Sequence, residues 1–300
     1  MSLFAQITRL LPGGSQQQRA RLHEDMLTSL LVMAWMVEAR DPYTGGHLWR
    51  VSRFSHLLAS AAGLAIEEGA RIALGGFLHD LGKISVPDHI LGKKDRLTDE
   101  EYAVIKTHPE VGWRMLAGHP LAPLAEAAIR SHHETPDGAG YPQGLQGEAV
   151  PLDARIVGIC DAFDAMTSTR PYRRGMPQEK ALQIIEGNLG RQFDRHFGAQ
   201  FVALGRAGKL DVIVGHSDEG IPLRECQACG PILVVQRRHR AGDRLYCPSC
   251  TGEYALEHQA GQLVVRPTGA LGTPQQLEPQ TDNALIAQVV RESARALLAV

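Results

Sequence analysis

The sequence predicts a mainly α protein: an all-helical bundle, then a small β module, then a C-terminal helix. Three observations carry this. From Arg21 to about Gly205 apolar residues recur at helical spacing, with no alternating strand pattern of useful length. After Gly205 short β-like runs alternate with two C-x-x-C pairs, Cys226/Cys229 and Cys247/Cys250. Helical spacing then returns behind a segment rich in Gln, Pro and Gly. The boundaries read as a tail over 1–20, a helical domain over 21–206, a connector and β module over 207–265, a flexible linker over 266–281 and a helix over 282–300.

Each element has its own reason. Leu22, Met26, Leu30, Met33 and Val37 form one apolar stripe, and Val51, Phe54, Leu58 and Ala61 a second. Thr98 followed by Glu101 reads as a capping box opening a helix through Ile105. Leu152–Ser168 is a long apolar-rich helix, and Pro177 suits the first turn of another. Leu210–Val214, Ile232–Val235 and Gln262–Val265 are β-like. Pro267, Gly269, Gly272, Pro274 and Pro279 mark the linker. Asp282 caps the last helix, with Ile286, Val290 and Leu297 on one face.

With 31 Lys+Arg against 33 Asp+Glu among 300 residues, the near-neutral balance argues against a polyanion-coating role, so nucleic acid is not an expected partner. Met26–Val37 is too short to span a membrane, which takes about 20 apolar residues. Leu3–Leu11 has only Arg9 to meet lipid headgroups. Residues 1–20 lack a signal-peptide layout, and the cysteines come in metal-type pairs. A cytoplasmic protein with no membrane partner is expected.

The 13 histidines are unevenly placed. His79-Asp80 opens His-Asp-Leu-Gly-Lys83. His108 follows a helix. His132-His133-Glu134 precedes a Gly/Pro-rich loop. Asp161 lies on the long apolar helix with Asp164 one turn later, and His47 closes Asp41-Pro-Tyr-Thr-Gly-Gly-His47. Imidazole plus carboxylate suits Fe, Mn or Zn, and a carboxylate such as Asp80 or Asp161 can bridge two ions. A lone histidine beside an apolar helix is usually an ordinary core or surface residue. Adjacent pairs are different, because burying both members without a metal strands polar groups. His23, His56, His89, His119, His196, His216, His239 and His258 have no such partner and are read as ordinary.

These stretches resemble the HD-GYP family of HD-domain metal phosphohydrolases. The resemblance rests on His79-Asp80, His132-His133-Glu134, Asp137-Gly-Ala-Gly-Tyr-Pro142 and Asp41–His47. It also rests on Lys106-Thr-His-Pro109, Gly144-Leu-Gln-Gly-Glu148, Asp161–Ser168, Arg170-Pro-Tyr-Arg173 and Gln192-Phe-Asp194, in the family's order over roughly residues 38–205. It implies an HD-type helical bundle and a metal-dependent phosphodiesterase opening cyclic di-GMP to pGpG and on to GMP. It further implies two divalent metals, Fe or Mn, held by His47, His79, Asp80, His108, His132, His133 and Asp161. Asp80 and Lys83 are the expected catalytic pair. Lys83, Gly140, Tyr141, Asp164, Arg170 and Arg173 are the expected substrate contacts. Three-metal members carry an acidic residue four positions before the histidine matched by His47; here that position is Tyr43. Thr135-Pro136 and Arg195 also depart from the family's usual wording, which bears on pocket shape and not on the metal ligands.

Several of these residues have a blander reading. Lys83 can be a solvated helix-end lysine, and Tyr141 can simply pack on the core. Arg170 and Arg173 can pair with Asp164 or Glu179. Asp164 can orient a ligand instead of touching guanine.

Cys226, Cys229, Cys247 and Cys250 read as one structural zinc site in a zinc ribbon, with Cys160 a buried bystander. Arg237-Arg-His-Arg240 reads as a solvated basic turn. Protein partners are expected through the Asp137–Pro142 loop or the ribbon, together with a homodimer. Residues 1–20 are too short for a sensor domain, so regulation is expected from the ribbon, from dimerisation or from a separate protein. Two other readings stand beside the enzyme: a catalytically weak cyclic di-GMP sensor or scaffold, and an HD phosphohydrolase for another nucleotide.

Overall fold

Helix ends, more than helix faces, build this molecule's site, so the order of elements matters. The computed structural model describes residues 15–41, 44–93, 95–170 and 173–298. Leu3–Leu11 and Tyr43 lie outside the described residues, as do Pro171 and Tyr172 of the Arg170–Arg173 motif. The helices are α1 (Gln16–Glu38), α2 (His47–Ala61), α3 (Ile66–Leu78), α4 (Asp88–Leu91), α5 (Asp99–Ile105) and α6 (His108–Leu116). They continue as α7 (Glu126–Ser131), α8 (Leu152–Thr167), α9 (Gln178–Gly187), α10 (Arg195–Arg206) and α11 (Asn283–Leu298). A 3-10 turn over Leu81–Ser85 follows α3.

Local signals set the starts. Ser15 and Gln18 form a capping box on α1, so residues 16–20, read as tail, are helical. Thr98 and Glu101 do the same for α5, as the sequence predicts. Asp194 accepts from the His196 and Phe197 backbone at the start of α10. Phe54, Phe163 and Phe201, from α2, α8 and α10, meet edge to face at 5.0–6.0 Å in the centre of the core. The buried stripe of α1 is Leu27, Leu30, Leu31, Ala34 and Val37; Met33 faces outward at 39% exposure, so the predicted stripe is rotated.

His23 joins that buried face with both ring nitrogens unpartnered among the described residues. Burial pushes its pKa down to about 4, below the unfolded value. The stability it permits is whole above pH 6.5 and falls as pH drops toward 4, where the unfolded chain binds a proton that the fold refuses. His23→Leu is expected to remove up to roughly 3 kcal/mol of acid destabilisation. Urea unfolding at pH 7.5 and pH 5 checks this; equal pH slopes in both proteins would contradict it.

The C-terminal part forms antiparallel sheets in the orders β1-β2, β3-β4 and β5-β6-β7. Their strands are β1 (His216–Asp218), β2 (Ile221–Pro222), β3 (Arg224–Cys226), β4 (Gly230–Leu233), β5 (Arg244–Tyr246), β6 (Gly252–Gln259) and β7 (Gln262–Leu271). Leu210–Val214 is not a strand. It closes a turn in which the Ile213 and Val214 amides donate to the Leu210 carbonyl, burying Leu210 and Ile213. The first six residues of the expected linker are strand: β7 runs to Leu271, with Pro267 opposite Tyr254 beside a register shift. Proline is tolerated there because β7 is an edge strand. The last helix is capped by Asp282, which accepts from the Leu285 amide. It packs on α1 and α3, and Leu285, Ile286, Val289 and Val290 join the main helical core. Arg53 of α2 pairs with its Glu292.

Candidate metal centre

Four helix ends and one helix side converge. His47 is the first residue of α2, His79 and His132 end α3 and α7, and His108 opens α6. Asp80 immediately precedes the 3-10 turn that carries Lys83, and Asp161 comes from α8. Gly82 allows the turn to lie against α6: a β carbon there would stand 1.8 Å from the His108 carbonyl oxygen. Glu38, at the end of α1, accepts the Leu48 amide at 2.9 Å and so caps α2 from outside the helix. Burial pushes the Glu38 pKa up to about 7.

Two ligand groups result, His47–His79–Asp80 and His108–His132–His133, each with donor atoms within 4.8 Å of one another. Asp80 spans them. Its Oδ2 lies 3.4 Å from His79 Nε2 and 3.6 Å from His47 Nε2, and its Oδ1 lies 3.4 Å from His108 Nε2. Asp161 Oδ1 stands 3.5 Å from His47 Nε2 and 3.8 Å from His79 Nε2. Lys83 Nζ donates to Asp80 Oδ2 at 2.6 Å. Burial opposes the Asp80 charge, but Lys83 and His79 outweigh it and hold the carboxyl well below its usual range.

The ring tautomers show what the cluster fits. Nδ1 of His79, His108 and His132 faces the carbonyls of Gly76, Ile105 and Ala128 at 2.7–2.8 Å. Those contacts put the proton on Nδ1 and leave bare lone pairs on Nε2. His108 Nε2 and His132 Nε2 then face each other at 3.1 Å, an arrangement that needs a cation between them. A proton is disfavoured, since burial drives the His108 pKa down to about 4, that of His133 to about 3 and that of His132 well below its usual value. His47 Nε2 and His79 Nε2 are buried without a hydrogen-bond partner among the described residues. Lone pairs aimed at one another and at carboxylates fit divalent metal.

A cleft of about 730 Å³ opens beside the cluster, lined by Lys83, His133, Tyr141, Arg170, Arg173 and Arg191 among others. Tyr141 stacks on His133 at 4.7 Å, so it packs on the site and faces the cleft at once. The pairings open for the two arginines resolve otherwise: Arg170 lies near Asp41, and Arg173 donates to the Ala165 carbonyl. Gly140 needs its missing side chain for the fold. A β carbon there would stand 2.5 Å from the His133 carbonyl oxygen and the Thr135 amide, so the close approach is to its own chain.

Asp164 does not reach the cleft. It is 1% exposed, and it accepts from His47 Nδ1 at 2.8 Å and Arg50 Nε at 2.6 Å. Of the two roles the sequence leaves open for Asp164, this place behind His47 fits orienting a ligand and not a guanine contact. Burial lowers the His47 pKa, but Asp164 and Asp80 outweigh it and raise it to about 9. A divalent ion and a proton thus compete for His47 Nε2. Sequence reasoning overlooks Arg50, Glu38 and Glu134. Glu134 is buried and ties the following loop by accepting the Gln143 and Leu145 amides. A charged residue inside the apolar stripe of α2 was the available signal for Arg50.

Cys226, Cys229, Cys247 and Cys250 form another cluster, with sulfurs within 4.8 Å and no disulfide. The end of β3 and the turns after β3 and β5 present them. Tyr254 Oη donates to Cys226 Sγ at 3.2 Å, and the Cys250 amide to Cys247 Sγ at 3.5 Å. Despite burial, Tyr254 and the Cys229 and Ala228 amides bring the Cys226 pKa to about 7, favouring thiolate there, while burial pushes the Cys229 and Cys247 thiols up. Arg237 of the basic turn pairs with Asp218. Cys160 is fully buried, and burial pushes its thiol pKa up, as suits a bystander.

The family model described as HD domain matches residues 31–197, more than half of the chain. The chain belongs to the HD domain family. It is 42% identical over 164 residues to "Cyclic di-GMP phosphodiesterase response regulator RpfG" of Xanthomonas campestris pv. campestris, covering 54% of this chain and 43% of that protein. It is 36% identical over 185 residues to a "Cyclic di-GMP phosphodiesterase" of Thermotoga maritima, covering 61% and 50%. It is 39% identical over 177 residues to "3'3'-cGAMP-specific phosphodiesterase 3" of Vibrio cholerae, covering 57% and 38%. The HD domain chain thus spans half or less of these curated relatives. The motif resemblance drawn from the sequence is borne out at the level of the family.

Proposed function

We propose that this HD domain chain hydrolyses a phosphodiester bond of a cyclic dinucleotide, cyclic di-GMP first, to pGpG and GMP. The observation carrying this reading is the placement of Asp80 between two histidine-rich ligand groups beside a cationic cleft. His47, His79, Asp80, His108, His132, His133 and Asp161 are the proposed holders of two divalent metals, Fe or Mn. When bound, such a pair supplies Lewis-acid neutralisation of the phosphodiester and lowers the pKa of the attacking water.

The chain's own side chains do the rest. The carbonyls of Gly76, Ile105 and Ala128 fix the histidine tautomers. Arg170 and Arg173 offer guanidinium groups to phosphate. Tyr141, backed by His133, offers a ring face to a base. Burial alone would lower the Lys83 pKa, but Asp80 and Asp161 raise it, so its ammonium can hold a proton at the leaving 3′ oxygen.

The cysteine cluster is proposed to hold one structural zinc. The reading carries with it a cytoplasmic protein, a homodimer, and partners at the Asp137–Pro142 loop or the ribbon. No helix among the described residues is long and apolar enough to cross a membrane.

A second substrate is favoured by the Vibrio cholerae relative, whose name specifies 3'3'-cGAMP. Incubating the Mn- or Fe-loaded chain with cyclic di-GMP and with 3'3'-cGAMP, and resolving products by chromatography, tests both. Formation of pGpG or GMP supports the first reading. Turnover of 3'3'-cGAMP alone shifts the substrate. Tight binding of cyclic di-GMP without turnover makes the chain a sensor and overturns the enzyme.

A further inference from the structure

Arg50 lies one turn after His47 on α2 and is 1% exposed. Every N–H of its guanidinium meets an acceptor. Nε donates to Asp164 Oδ1 at 2.6 Å. Nη2 donates to Asp164 Oδ2 at 3.0 Å and to Ser168 Oγ at 3.1 Å. Nη1 donates to the carbonyls of Gly45 and His216, both at 2.8 Å. Asp164 Oδ2 in turn accepts His47 Nδ1. One side chain thus joins the loop ahead of His47, helix α8 and the first strand of the β module.

The two glycines before His47 close the same joint. A β carbon at Gly45 would stand 2.5 Å from Val234 Cγ2 of the β module. One at Gly46 would stand 2.5 Å from Ser217 Cα and 3.0 Å from the His216 carbonyl oxygen, and Gly46 has φ +75°. The module therefore lies directly on the residues that aim His47.

We propose that Arg50 is a positioning residue through which the C-terminal β module fixes His47, so that the His47–His79–Asp80 metal position depends on the folded module and the His108–His132–His133 position does not. The proposal rests on the reading of the cluster as a paired metal site. Only a planar fork spans this set of acceptors; a lysine offers a point charge and cannot.

The test uses the full chain. Mn2+ is titrated while free Mn2+ is followed by electron paramagnetic resonance, and zinc is counted by elemental analysis. Arg50→Gln is expected to weaken one Mn2+ position by about 10-fold or more, the usual effect of losing a group that orients a ligand, with zinc retained and the other position unchanged. Arg50→Lys is expected to behave alike. Cys247→Ser, which removes zinc, is expected to weaken the same position, and to add no further loss when combined with Arg50→Gln. Unchanged Mn2+ binding in Arg50→Gln overturns the proposal. So does a zinc-free Cys247→Ser protein with both positions intact, or an equal loss at both positions with a broadened unfolding transition. A wild-type chain that takes up no Mn2+ sinks the paired-site reading and this proposal with it. A wild-type chain that fills both positions while the variants match it sinks the coupling alone.

Discussion

Replacing Asp80 by Asn is expected to cut cyclic dinucleotide hydrolysis by at least about 10³-fold, an effect of several kcal/mol on the barrier. Its two carboxylate oxygens face different ligand groups, so a single substitution weakens both. The amide also removes the charge that Lys83 meets at 2.6 Å, leaving a partly buried ammonium without its nearest anion. Product chromatography and metal content together check this. Both metals retained, with turnover inside about tenfold of wild type, would mean that Asp80 does not bridge.

Replacing Cys226 by Ser is expected to release the bound zinc and unfold the β module while the helical core persists. The module's own core is small: Ile232, Leu233, Val235, Leu245, Tyr254 and Leu256 carry most of it. Burial on that scale does not hold a domain, whereas structural zinc in small modules supplies about 10–16 kcal/mol of apparent binding free energy. Limited proteolysis should then cut within residues 207–282 while helical circular dichroism is largely kept. A zinc-free variant as resistant as wild type would show that the sulfurs do not hold the module.

Much of the site was legible because its chemistry is local in sequence. His79-Asp80 and His132-His133 are adjacent pairs, and each C-x-x-C pair is one turn of chain. What escaped depends on distant segments. Asp164 stood open between orienting a ligand and touching guanine; Arg50 and His47, more than a hundred residues earlier in the chain, take it out of the cleft. Gly140 lines the cleft as a substrate contact would, yet what demands glycine there is the backbone of His133–Thr135, which a β carbon would strike. The strand over Gln262–Leu271 was hidden by Pro267 and Gly269, which weaken a β reading but are permitted on an edge. The α1 stripe was rotated because its apolar residues surround the helix, and only packing against α3 and α11 selects the buried face.

The return of α11 to the core makes the β module an insertion, tied to the helical body at both ends. The ends of such a loop meet at an entropic cost that rises only about 0.6 kcal/mol per doubling of its length, so a melted module still leaves α11 seated. Severing the loop would turn the burial of Ile286, Val289 and Val290 against α1 and α3 into a bimolecular association, which also costs translational and rotational freedom. Supplied as a separate strand of polypeptide, the last helix would dock on α1 and α3 in a concentration-dependent way, where in the intact chain it is held by the module as a tether.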